Sequence, residues 1–213
     1  MSMNSDKSFP VEAAPGAVLY IFFGLIATGK STLAQAWASR HALSYYNSDV
    51  VRKELAGLDA TSKNPDAHGR GIYTLEFTAR TYEQLRRLAE TDIRQGRGVV
   101  LDASYTKRAE REQIVDLARS LGVEFHFVQC RCSDEVKRQR LARRSRDPGA
   151  VSDGRWEIYL RQRDKFQPPV ELPAPRLTVI DTAGPLPQLL DELELRMDKA
   201  AAAGADGNTN RLY

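Results

Sequence analysis

The sequence predicts an α/β domain: a parallel sheet with helices on both faces. Three observations carry that prediction. Along most of the chain, apolar runs of strand length alternate with segments whose apolar residues recur at helical spacing. The first run, AVLYIFF (Ala17–Phe23), is continuously apolar, as a strand buried on both faces must be. It leads straight into GLIATGKST (Gly24–Thr32), a glycine-rich turn between a strand and a helix.

The elements follow in order. Lys30–His41 carries Leu33, Ala34, Trp37 and Ala38 at helical spacing. Ser44–Asn47 is a short strand and Asp49–Ala56 a short helix. Gly71–Gln95 reads as one long helix with Ile72, Leu75, Ala79, Tyr82, Leu85, Leu88 and Ala89 on its apolar stripe, stopped at Gly96. Gly98–Ala103 is a buried strand, Lys107–Leu121 a helix closed by Gly122, and Val123–Cys130 a strand. A helix over Asp134–Arg144 breaks at Pro148–Gly149, resumes over Asp153–Phe166, and ends in PPVELPAP. Leu177–Asp181 and Leu186–Lys199 are the last strand and helix. Right-handed crossovers join the strands. Residues 16–199 are expected to form a single domain, with a flexible leader at 1–15 and a flexible tail at 200–213.

The chain has 213 residues, of which 28% are charged and 42% hydrophobic, a composition expected of a soluble globular protein. No apolar run approaches the ~20 residues of a membrane-spanning helix. The N-terminus lacks the apolar core of a secretory signal, so a cytoplasmic setting without membrane partners is expected. Cys130 and Cys132 stand one residue apart, a spacing that suits neither a four-cysteine zinc site nor a Cys-x-x-Cys redox pair. His41, His68 and His126 share no metal-ligand spacing, and His126, inside a strand, reads as a packing residue. The net charge is only +3, but Val136–Arg146 holds five arginines and a lysine, the makings of an anion-binding surface.

Gly24-x-x-x-x-Gly29-Lys30-Ser31 is the P-loop pattern, flanked by the strand and helix it requires. Its glycines let successive N–H groups turn inward, and the start of the helix adds its positive end. Lys30 can reach the β- and γ-phosphates, and Ser31 can offer its hydroxyl to Mg²⁺. Leu25, Ile26, Ala27, Thr28 and Thr32 complete the stretch expected to hold ATP or GTP with Mg²⁺. The DTAG at Asp181–Gly184 resembles a GTPase motif, but it lies late in the chain and no Asn-Lys-x-Asp accompanies it. Thr182 and Ala183 instead border the adenine site.

In an open parallel sheet, ligands bind beyond the carboxyl ends of the strands. Asp49 follows the second strand and is aimed at the P-loop crevice, where it can accept the proton of an attacking hydroxyl. Ser48 or Asp49 also suits the helix cap. Arg52, one turn on, shares that face and can orient an acceptor. Asp102, ending the third strand, can bind a Mg²⁺-bound water, hydrogen-bond the acceptor, or cap the next helix. Ser104, Arg108 and Arg111 lie nearby. Tyr73 and Arg80 are candidates for the acceptor wall.

The segments GLIATGKST, SDVVRKELAGL, GRGVVLDASYTKRAER, RQRLARR and VSD together resemble P-loop kinases of the polynucleotide-kinase and zeta-toxin type, and bacterial AAA-type ATP-binding kinases, over roughly Val18–Asp181. The resemblance implies a P-loop NTPase fold of the NMP-kinase-like kind, strand order 2-3-1-4-5, with a helical lid at about 137–155 hinged near Pro148 and Gly149. It implies that Asp49, in an Asp-x-x-Arg with Arg52, is the general base. It implies that lid arginines Arg140 and Arg143 neutralise the transferring phosphoryl group, with Arg144 close by. The expected function is transfer of the γ-phosphoryl group of ATP to a hydroxyl of a small-molecule or nucleoside-type acceptor. The alternatives are a polynucleotide 5′-hydroxyl acceptor, or a nucleotide-binding regulatory module without turnover.

Overall fold

The computed structural model describes residues 16–59, 71–144 and 156–208, with 200–208 as backbone only. The expected leader at 1–15, the hinge at Pro148–Gly149 and Asp153 lie outside the described residues. The elements run β1 (Val18–Phe23), α1 (Lys30–Arg40), β2 (Ser44–Asn47), α2 (Ser48–Leu55), α3 (Leu75–Arg94), β3 (Val99–Asp102), α4 (Arg108–Leu121), β4 (Glu124–Arg131), α5 (Asp134–Arg144), α6 (Trp156–Lys165), β5 (Leu177–Asp181) and α7 (Leu186–Asn208). The sheet is five-stranded, parallel throughout, in the order β2-β3-β1-β4-β5. It is the NMP-kinase-like P-loop fold.

Alternation along the buried strands divides the core. Leu19, Ile21, Phe23, Val99, Leu101 and Phe127 pack against α3 and α4 through Leu85, Ala89, Ile93, Ile114 and Ala118. The intervening side chains, Phe22, Val100, Val128, Cys130 and Ile180, pack against α1 and α7 through Leu33, Trp37, Leu189 and Leu193. Both faces are therefore closed by apolar surface, which is why β1 and β3 tolerate no alternation. The register pairs Asn47 with Asp102 and Asp102 with Phe22, so three strands end at one level.

The long helix differs from its predicted extent. A 3-10 turn at Gly71–Tyr73 comes first, and Thr74 then caps α3, its hydroxyl accepting from the Phe77 amide at 3.2 Å. Leu75 is 78% exposed and Ala79 is also exposed, whereas Tyr82, Leu85, Ala89 and Ile93 are buried. Length explains the difference. α3 has 20 residues, about 30 Å of helix, and β3 only four, about 13 Å of strand. The crossover runs α3 antiparallel to the strands, so its first turns project past their carboxyl ends. α7 continues to Asn208, beyond the expected end at Lys199, because Ala200–Ala203 has the strongest helix propensity of any residue type.

Two buried polar contacts stiffen the frame. Arg111, fully buried, pairs with Glu171, donates to the Tyr105 carbonyl at 2.9 Å and tethers the proline-rich segment to α4. His126 meets the Thr178 hydroxyl at 2.9 Å across β4 and β5. It is a packing residue, and both cysteines are buried free thiols.

Burial first, and Arg176 second, pull the His126 pKa from 6.5 down to about 4. Below about pH 6.5 the unfolded chain takes up a proton that the folded chain refuses until about pH 4. Stability is therefore expected to fall as the pH drops through that window, by up to about 3 kcal/mol. Urea melts of the wild type and His126→Gln across pH 4–7 check this; the variant should lose that part of the slope.

Candidate active site

The P-loop leaves β1 through Gly24, at φ 147°, and enters α1 through Gly29, at φ 78°. Both positions need glycine. A Cβ on Gly24 would lie 2.5 Å from the Cys130 carbonyl oxygen, and one on Gly29 would lie 2.8 Å from Nη1 of Arg140. Four backbone groups of the loop are engaged. The Leu25 carbonyl accepts from the Thr28 hydroxyl at 2.8 Å, and the Ile26 amide donates to Oε1 of Gln162 at 2.8 Å. The Ala27 carbonyl accepts from Arg140 at 3.3 Å, and the Thr28 carbonyl accepts from the Thr182 hydroxyl. By contrast, the amides of Ala27, Gly29, Lys30 and Ser31 have no acceptor among the described residues. These free donors, at the positive end of α1, form a concave nest for an anion.

Ser31 faces the ends of β2 and β3. Nδ2 of Asn47 lies 3.5 Å from the Ser31 hydroxyl and 2.5 Å from Oδ2 of Asp102, which also accepts from the Tyr45 hydroxyl at 2.7 Å. Asp102 is fully buried, and its other oxygen, Oδ1, has no partner among the described residues. A buried carboxylate with an orphaned oxygen is costly unless a cation or water completes it. A serine hydroxyl and one carboxylate, with most sites left to water and phosphate, is a donor set that fits Mg²⁺. Burial, and the Asp102 charge beside it, push the Tyr45 phenol well above its usual range, so it remains a donor.

The cap of α2 is neither Ser48 nor Asp49. Oδ1 of Asn47 accepts from the amides of Asp49 and Val50 at 2.9 and 3.2 Å. Asparagine satisfies these two amides while its NH₂ serves Asp102, leaving the Asp49 carboxylate out of the cap. Asparagine, serine and aspartate cap about equally well, so residue type alone does not single out Asn47. Arg52 is buried rather than presented to a ligand. Its Nη1 donates to the Ile72 carbonyl at 2.8 Å and to the Thr78 hydroxyl at 3.2 Å, over the ring of Tyr73. Arg111 is committed to the frame, exposed Arg108 pairs with Glu112, and Arg80 lies over Phe77.

The basic helix α5 borders a cleft of about 440 Å³ lined by Gly29, Thr32, Arg140, Arg143, Arg144 and Thr182, among others. The three arginines differ. Arg140 is tied down, donating to the Thr182 carbonyl at 2.5 Å and to its hydroxyl at 3.2 Å. Arg143 is exposed at the rim. Arg144 is half-buried. Burial pulls its guanidinium below the usual range, and Arg140 adds to this, while the carboxylates of Asp49 and Asp102 act in the opposite sense. The side chains of Ile26 and Ala27 pack with Leu141 of α5 and Tyr159 of α6, with Leu25 beside them.

Asn47→Ala is expected to cost about 2–4 kcal/mol, from the lost cap and from the donor removed from Asp102. Asn47→Ser should recover about 1 kcal/mol, the cap alone. Urea denaturation of the three proteins measures both.

Residues 19–169 match the family model described as an AAA domain, AAA_33. Uncharacterised proteins of Mycobacterium tuberculosis and Mycobacterium bovis are 29% identical over 135 residues, 62% of this chain and 26% of theirs, so the match spans about a quarter of those relatives' length. A gluconokinase from Sinorhizobium meliloti superposes with a TM-score of 0.58 at 17% identity, over 92% of this chain and 98% of its own. The APS kinase of Mycobacterium tuberculosis, solved with AMPPNP and APS, superposes with a TM-score of 0.56 at 15% identity, over 86% and 98%. The fold of these P-loop kinases is also the fold here, and the chain belongs to the AAA domain family, AAA_33.

Proposed function

We propose that this protein is an ATP-dependent phosphotransferase that moves the γ-phosphoryl group to a hydroxyl of a small-molecule or nucleoside-type acceptor. One observation carries the reading: among the described residues the loop amides of Ala27, Gly29, Lys30 and Ser31 lack acceptors, and Ser31 lies by Asn47 beside the Asp102 carboxylate, whose buried Oδ1 has no partner there either. The small-molecule kinases that share the fold favour the same class of acceptor.

In this reading the nest and Lys30 hold the triphosphate, while Ser31 and Asp102 hold Mg²⁺. The ion, when bound, supplies positive charge to phosphate oxygens. Asp49 takes the proton of the acceptor hydroxyl, whose oxygen forms a bond to the γ-phosphorus as the bond to the β–γ bridging oxygen breaks, releasing ADP. Arg144, half-buried in the cleft while Arg140 is tied to Thr182 and Arg143 is exposed, is the arginine that balances the charge spread over the transferring group. Arg140 keeps the loop and Thr182 together at the nucleotide end. Arg52 shapes the acceptor wall through Ile72 and Tyr73 instead of gripping the acceptor, which weighs against a polynucleotide 5′-end as substrate.

An acceptor screen with labelled ATP tests the assignment. Asp49→Asn is expected to lower transfer about 10²–10⁴-fold with nucleotide affinity unchanged. Arg144→Met should lower turnover by about 10³-fold or more, again without weakening nucleotide binding. Full transfer by Asp49→Asn would remove the base assignment. Release of phosphate alone with every acceptor would favour a regulatory module.

A further inference from the structure

Gln162 on α6 reaches the P-loop from 136 residues away in sequence and accepts the Ile26 amide at 2.8 Å. An amide N–H only donates, so the carboxamide oxygen, not its nitrogen, faces the loop. Nε2 of Gln162 has no partner among the described residues, so the side chain gives the loop one specific bond. Tyr159, one turn earlier on the same helix face, packs on Ile26 and Ala27, with Leu141 completing the cluster and Trp156 beside it. α5 and α6 thus meet the loop through an apolar patch and two polar bonds, one from Arg140 and one to Gln162.

The residue after Ile26 gives this bond its consequence. Ala27 holds a left-handed φ of 63°, a conformation that a non-glycine residue keeps only when its surroundings hold it. Its carbonyl is held by Arg140 of α5, and the amide before it by Gln162 of α6. Between those two clamps lies the turn that aims the Ala27 amide into the nest. Both clamps come from the lid.

We infer that Gln162 is a positioning residue: it fixes the Ile26 amide so that the adjoining turn keeps its anion-binding shape, and it thereby couples seating of the α5–α6 lid to nucleotide affinity. The inference rests on the reading of the nest as a nucleotide site. It concerns a side chain that touches the loop and not the reacting atoms.

Hydrogen exchange by mass spectrometry on the nucleotide-free full chain, paired with calorimetry of Mg²⁺–AMPPNP binding, tests it. In Gln162→Leu, which keeps the bulk and removes the acceptor, the peptide spanning residues 24–29 should gain one fast-exchanging amide. Nucleotide affinity should fall about tenfold, while the urea midpoint stays at the wild-type value. Gln162→Glu retains the acceptor and should restore the protection, yet bind nucleotide more weakly because its carboxylate adds negative charge beside the nest. Unchanged exchange in Gln162→Leu, changed exchange with unchanged affinity, or a Glu variant that fails to restore protection would each overturn the inference. A wild-type protein that binds no nucleotide overturns the nest reading as well, and the exchange arm, run without nucleotide, separates the two failures.

Discussion

The molecule turns on one constraint: a loop must keep several backbone amides unpaired on its inside. Unpaired amides are costly away from water, and a free loop would relax to pair them. Here the relaxation is blocked from outside. The outward carbonyls of Leu25, Ala27 and Thr28, and the outward amide of Ile26, are each taken by a partner. Those partners come from the loop itself, from the lid and from the segment after β5. With these four groups held, the loop cannot readily turn to pair its free amides, and the concavity persists.

The same logic governs the acidic side of the crevice. Asn47 divides its two functions, its oxygen capping α2 and its nitrogen serving Asp102. Asp49 is thereby spared from capping, and Asp102 is left with one oxygen satisfied and one open. Tyr45, held in its protonated form by burial and by the neighbouring carboxylate, completes the fixed half. Arg144 lines the neighbouring cleft with Arg140 and Arg143.

The core determines where these groups stand. Because β2 and β3 end at one level beside β1, Asn47, Asp102 and the P-loop share a single edge of the sheet. Because α3 is much longer than the strand that follows it, its first turns rise above that edge and form a wall that Arg52 and Tyr73 brace. The exposed Leu75 and Ala79 are the mark of that overhang and not a flaw in the apolar stripe.

Much of this was legible beforehand, because it is local. Continuous apolar runs, helical spacing and glycine at Gly24 and Gly29 are demands that neighbouring residues make on one another, so strand and helix positions and the P-loop could be read from the chain; the strand order came from family resemblance. Composition likewise distinguished His126 as a packing residue, since a lone histidine in a buried strand has little else to do. What the chain did not disclose is long-range. Capping preference alone does not separate Asn47 from Ser48 and Asp49, and helical spacing alone does not tell a buried Arg52 from a presented one. Arg140, Arg143 and Arg144 are equivalent as a run of charge and differ only in what surrounds them. Nothing near Gln162 hints at Ile26. These distinctions depend on which side chain reaches which backbone group across distant parts of the fold. Only the packed tertiary structure decides that, because burial and partner geometry, not residue type, determine where a charge or an amide is spent.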